Sequence, residues 1–246
     1  MSYMTDEGQY QLRDANSMAA AWAKEDERSA FIRQTYLHLA GAIALFVALE
    51  AAIFTLVPAE TLNGLMNLLF QSRFGWLGVI LAMTAVSWVA QWWALSGASR
   101  GLQYMGLLLY VLGQAVIFVP LLYIANQVAP QAIPAAGVLT LVVFGGLTLL
   151  VMVTKVDLTS WGKYLWAGGL AAIGVIVCAI LFNFELGVWF SGLMIGLASM
   201  YILYDTSNVL RTYRTDQYVA ASLALFASVA LLFWYILRLF IQLRRN

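Results

Sequence analysis

Charge is what this chain has least of: Asp, Glu, Lys and Arg make up 10% of its 246 residues, where a soluble domain carries about 25%. With 63% hydrophobic residues, a water-soluble fold is excluded and a lipid-embedded one is implied. Histidine and cysteine are almost missing, with one of each, His38 and Cys178. A single cysteine rules out an intrachain disulfide framework and leaves the redox compartment open. The same scarcity rules out a His/Cys metal cluster and an HExxH helix. The net charge of +1 comes from scattered residues, so no basic stripe points to nucleic acid.

Catalytic equipment is missing too. There is no Gly-x-Ser-x-Gly elbow, and no serine stands in a credible relation to His38, which argues against an intramembrane serine protease. The Tyr204–Asp205 pair superficially suits an intramembrane aspartyl protease. That chemistry needs two carboxylates sharing a proton, and the last apolar stretch has none. Every lysine lies outside the apolar stretches, so a Schiff-base photoreceptor is excluded. The chain is read as non-enzymatic and without a cofactor.

What is present is a series of apolar runs, each near the roughly 20 residues a membrane helix requires. Backbone groups in hydrocarbon must find partners within their own segment, so these runs are helices rather than strands. Seven spans are expected: Thr35 to Val57, Gly75 to Ser96, Leu102 to Ile124, Ile133 to Thr154, Tyr164 to Phe182, Gly187 to about Leu210, and Tyr218 to Ile241. Pro58 stops the first. Trp88, Trp92 and Trp93 crowd one end of the second, where amphipathic rings suit the headgroup level. The connections look short throughout, giving one all-α polytopic bundle, residues 35–246, behind a polar arm of residues 1–34.

The arm mixes both charge signs and lacks a signal-peptide core. Its stretch from Ser17 to Gln34 suits either a helix along the interface or a solvated arm. Orientation follows the basic residues, which favour the cytoplasmic side of short loops. With the N-terminus cytoplasmic, that side receives nine of them and the opposite side only Arg73, Arg238, Arg244 and Arg245. The basic C-terminal end opposes this arrangement, and holding it inside would require a re-entrant segment.

Ionisable groups at bilayer depth cost roughly 2.5–3.5 kcal/mol on insertion scales, and therefore mark candidate sites. His38 and Glu50 lie on the first span, Asp205 on the sixth and Arg238 late on the seventh. Glu50 follows His38 by twelve residues, about 18 Å along the helix axis. Two pairings are thus allowed, His38 with Asp205 and Glu50 with Arg238. Asp205 is a candidate proton or cation site, metal included, since a carboxylate withdrawn from water takes up a proton more readily. A polar anchor near Asn208 and Arg211 would explain it equally well, and a charge-neutralising structural pair explains Glu50 with Arg238 better than chemistry does. His38 is more often a packed residue than a switch. Gln114 on the third span, Asn208 and Ser228 are further polar candidates for a gate or pore lining. Gly192 and Gly196, with Ala220, Ala224 and Ser228, form small-residue faces that would let the sixth and seventh helices approach.

Five stretches together resemble the Bax inhibitor-1 family, and within it the bacterial YccA-type branch: FIRQTYLHLAGAI, the VPLL ending the third span, KVDLTSWGKYLWAGGL, YILYDTSNVLRTY, and AASLALFASVALLFWYILRLF. The resemblance covers nearly everything after residue 31, and the DLTSWGKYL and YILYDTSN segments are its most specific parts. It implies a bundle with the last helix central, wrapped by the other six, in the inner membrane. It also implies restraint of a membrane-anchored AAA protease in the bacterial branch, and pH-sensitive calcium leak in other members. In the leaking members two aspartates on the last two helices form the gate. Asp205 matches the first, but Ser228 stands where the second is expected, and the second span has no carboxylate. A lone acid cannot share a proton with a like-charged neighbour, so this departure counts against the paired-acid gate.

Overall fold

The computed structural model describes residues 24–71, 73–95 and 99–245. Among them are eight helices and no strand: α1 (Glu25–Leu56), α2 (Ala59–Gln71), α3 (Arg73–Leu95), α4 (Arg100–Val128), α5 (Ala132–Thr154), α6 (Gly162–Phe182), α7 (Val188–Arg211) and α8 (Tyr218–Arg245). All but α2 are long and apolar enough to cross a membrane. The seven expected spans are therefore present, each within a few residues of its expected core.

Two differences concern the first half of the chain. The helix holding the first span begins at Glu25, inside the stretch assigned to the arm, and Glu25, Asp26 and Glu27 in its first turn complement the positive helix end. The part of the arm before Lys24 lies outside the described residues. The connection after Pro58 is not short, because it holds α2. Leu62 and Met66 of α2 are buried against Val119 of α4, so this amphipathic helix turns its apolar side onto the bundle.

Element ends follow local chemistry. Ser99 caps α4 by accepting from the Leu102 amide at 3.2 Å, satisfying a donor that has no partner within the helix. Lys155 and Asn183 close α5 and α6 with φ of 53° and 56°, the left-handed conformation that ends many helices. Pro120 sits inside α4 without ending it, as neighbouring helices allow in membrane bundles.

The core runs along α8. Of its apolar stretch 72% is buried, against 11% for α3 and for the stretch containing α6. Helices α1, α3, α4, α5 and α7 pack against it, while α6 packs against α7 and α3. The last helix is thus central, with five neighbours around it and a sixth standing off. Phe118 of α4 joins the layers: it stacks on Phe233 at 5.6 Å and meets Trp234 and Phe46 edge-on at 5.0 Å each. Such offset and edge contacts add about 0.5–1.5 kcal/mol each to burial.

The helices alternate in direction. One face of the bundle collects Lys24, Ser99, the 155–161 connection and the 212–217 connection. The opposite face collects α2 and the 183–187 connection.

Candidate functional site around Asp205

On α7 the buried residues Ser191, Met194, Ala198, Ile202, Asp205 and Val209 fall three or four apart, a single stripe turned toward the bundle axis. Asp205 therefore belongs to the inward face of its helix. Its Oδ2 accepts a hydrogen bond from Ser228 Oγ of α8 at 2.5 Å. A hydroxyl donating to a carboxylate is among the stronger hydrogen bonds. The phenols of Tyr110, Tyr201 and Tyr213 lie within electrostatic reach of Asp205. Among the described residues, no group of three His, Cys, Asp or Glu side chains gathers anywhere that could hold a metal. One carboxylate and one hydroxyl fall far short of the six to eight oxygens calcium prefers.

Below Asp205, Thr206, Ser207, Asn208 and Leu210 are all buried. The 155–161 connection is bonded over them. Ser207 Oγ accepts from the Leu158 amide at 3.0 Å and lies 3.4 Å from the Val156 carbonyl. Arg211 donates to the Lys155 carbonyl and stands 3.8 Å from Asp157. Asp157 accepts from the Thr159 hydroxyl at 2.7 Å and the Thr159 amide at 3.0 Å. These two bonds hold its carboxyl below the usual range, with Arg211 adding to the effect. Further along, the Tyr201 hydroxyl donates to the Leu165 carbonyl at 2.8 Å. Gly162 and Gly169 give the tyrosines room: a Cβ there would stand 2.6 Å and 2.7 Å from the Tyr204 and Tyr201 hydroxyl oxygens. The two most specific sequence segments are thus one structural unit, each supplying the other's hydrogen-bond partners.

On the opposite side of Ser228 opens a cleft of about 1290 Å³ between α6 and the α4–α8 side. Ser228 lines it and Asp205 does not, so the serine separates the acid from the open space. Gln114 and Tyr110 also line it, with the Tyr110 hydroxyl facing Gln114 and Ser87. At its far end stand Asn183, Glu185, Arg238 and Gln242.

Neither pairing allowed by depth is made. His38 Nδ1 lies 2.7 Å from the Gln34 carbonyl, so Nδ1 carries a proton. His38 Nε2 lies 2.9 Å from the Tyr104 hydroxyl, which is 3.2 Å from that of Tyr218. The imidazole thus joins two tyrosines near the ends of α4 and α8 rather than Asp205. Glu50 is buried with both carboxylate oxygens unpartnered, while Arg238 donates to the Leu186 carbonyl at 3.0 Å and lies over the Phe190 ring. Asn208 accepts from the Thr212 hydroxyl at 3.2 Å, the role of a helix-end anchor.

The small-residue expectation is half right. Helices α7 and α8 do pack together along their length, and Ala220 and Ser228 are buried there. Gly192 and Gly196 face open space instead, with nothing within 4 Å of a Cβ at either. The stripe one position away, from Ser191 to Asp205, makes the contact. Ser207 and Gln242 were not singled out from the sequence. Ser207 sits inside the YILYDTSN segment, and Gln242 is a polar residue one turn beyond Arg238, which is the signal that could have found it.

The family described as "Inhibitor of apoptosis-promoting Bax1" matches residues 28–245. An uncharacterized protein of Helicobacter pylori is 29% identical over 194 residues, covering 76% of each chain. One of Campylobacter jejuni is 28% identical over 228 residues, covering 85% of this chain and 87% of its own. One of Pseudomonas aeruginosa is 27% identical over 242 residues, covering 95% and 96%.

Proposed function

The chain belongs to the Bax inhibitor-1/YccA-like family, and we propose that it is a non-enzymatic regulator acting through other membrane proteins. A multi-pass membrane protein of regulatory type is what the family and the seven apolar helices support. The finer reading is modulation of membrane-protein quality control by a membrane-anchored AAA protease, from the inner membrane, with the N-terminus cytoplasmic. The observation carrying it is the Asp205–Ser228 bond. A lone acid that accepts from a hydroxyl, under a connection held by hydrogen bonds, supports the reading of a scaffold element over that of half an acid pair. Docking then falls to the arm and to the outer helix faces.

Reconstituting the full chain with such a protease and a membrane-protein substrate tests this reading. Degradation slows when the chain is present, and removing residues 1–23, which leaves α1 whole, relieves the inhibition. Degradation at the same rate with and without the chain would remove the reading.

A second reading, a pH-sensitive cation leak centred on Asp205, draws on the cleft, which comes within one hydrogen bond of that acid. It requires calcium to leave loaded liposomes at a rate that follows pH and falls with Asp205→Asn.

A further inference from the structure

We propose that the cleft between α6 and α8 is a phospholipid site, with the lipid phosphate at Arg238 and one acyl chain lying along the cleft toward Ser228. The inference rests on the membrane-embedded bundle alone and is independent of any protease or ion.

Arg238 is the first reason. Its guanidinium has one hydrogen-bond acceptor, the Leu186 carbonyl at 3.0 Å, and one ring, Phe190, beneath it. Among the described residues the ion pairs are Arg211 with Asp157 and Arg214 with Asp216, so no carboxylate neutralises it. A cation at membrane depth with no counter-ion is costly. Arg238 lies in the last third of α8, beside the 183–187 connection, close enough to the end of the span for its long side chain to reach a lipid phosphate. Guanidinium and phosphate make charge-assisted, two-pronged bonds, and an arginine near a helix end can keep its stem in the apolar cleft while its head meets the interface.

The second reason is the space itself. At about 1290 Å³ the cleft exceeds the roughly 300–1,000 Å³ of a drug-sized pocket, and its middle is walled by Ile176, Ile180, Leu231 and Trp234. Arg238 and Ser228 are ten residues apart on one helix, about 15 Å along its axis, a length suited to the upper part of an acyl chain. An apolar gap facing hydrocarbon loses dispersion contacts on every wall unless a chain fills it. The rim also fits a headgroup. Gln242 donates from Nε2 to the Leu186 carbonyl at 2.8 Å and is held from the other side by Ser191 at 2.7 Å, which fixes the loop beside Arg238. The exposed Glu185 carboxylate on the same rim can meet an ammonium, so phosphatidylethanolamine is accommodated as well as phosphatidylglycerol.

The test uses the full chain reconstituted in phosphatidylethanolamine and phosphatidylglycerol with a trace of phospholipid bearing a photoactivatable group in mid-chain. Adducts are mapped after irradiation, and retained lipid is counted by native mass spectrometry. Expected are adducts on Ile176, Leu231 or Trp234 and one retained phospholipid per chain. Arg238→Gln lowers retention by roughly tenfold or more, tenfold being the loss that goes with even one of the two charge-assisted hydrogen bonds. Ala172→Trp, which narrows the cleft from α6 and leaves Arg238 untouched, lowers it as well, and this variant decides the matter if the first fails to fold. Adducts confined to outward residues such as Trp189 and Leu193, with both variants retaining lipid like the parent, would overturn the proposal. So would displacement of the retained lipid by excess inorganic phosphate, which would make Arg238 a site for the free ion.

Discussion

The two halves of α8 live in different surroundings. From Tyr218 to Ser228 the helix is packed almost all round, with Ser222 lying 2.7 Å from the Thr35 carbonyl of α1 and Ser228 bonded to Asp205 of α7. From Leu231 to Gln242 the same helix meets Phe118 of α4 through Phe233 and Trp234 but borders a wide cleft on the α6 side. The closed half is rich in polar side chains that have partners. The open half is mostly apolar, and its rim carries the hydrogen-bonded Gln242 and Arg238, a cation with no ion-pair partner among the described residues. The contrast teaches that closure here comes from specific hydrogen bonds between α7, α8 and the 155–161 connection, and openness from the stand-off of α6.

The largest effect is expected from wedging α4 away from α3 at the level of the closed half, where Tyr104 and Tyr110 of α4 meet Tyr218 and Phe226 of α8. A Cβ on Gly106 would stand 2.6 Å from the Ala90 carbonyl oxygen and 2.9 Å from the Ala94 nitrogen, both backbone atoms of α3. Gly106→Leu forces those two helices apart, at a cost of about 3 kcal/mol or more. Thermal unfolding in detergent should show a large loss of folded protein.

Next comes the bond at the centre. Ser228→Ala leaves the Asp205 carboxylate buried without its donor and costs about 1–3 kcal/mol. In a double-mutant cycle with Asp205→Leu, the pair should lose less than the two single losses added together, because removing both partners leaves nothing unsatisfied. Additivity would mean that the bond contributes nothing.

A smaller effect concerns the connection over Asp205. Asp157 is held ionised by Thr159, below its ordinary value of 3.8, so its contribution is present above that value. It is lost as pH falls through the lower value of the folded chain. The Thr159 amide resonance should titrate with a midpoint under 3.8 and stop titrating in Asp157→Asn.

The smallest effect is expected where the helices are not in contact. Gly192→Ala and Gly196→Ala add a methyl to open space and should change stability by no more than about 0.5–1 kcal/mol, in the stabilising direction. A large loss at either would restore the small-residue contact that the geometry removes.

The spans and the position of Asp205 were legible because hydropathy and the cost of charge in lipid act locally along the chain. The partner Ser228 was legible only through resemblance, since nothing local couples residues on two different helices. The pairing of Glu50 with Arg238 failed for that reason: equal depth is necessary for contact but says nothing about rotation about the helix axis. The Gly192–Gly196 step failed likewise, because a one-residue shift turns a helix face by about 100°. Helix α2 carried its own signal, with Leu62, Leu65, Met66 and Leu69 at helical spacing, hidden by its being too short to span.

Asp205 is a lone acid completed by the Ser228 hydroxyl. Calcium release from loaded liposomes, followed across a pH series for the parent chain, Asp205→Asn and Ser228→Asp, tests it most directly. Release should be indifferent to pH in the first two and become pH-dependent only when Ser228→Asp supplies a second carboxylate. Release from the parent chain that already follows pH, and is lost in Asp205→Asn, would contradict it.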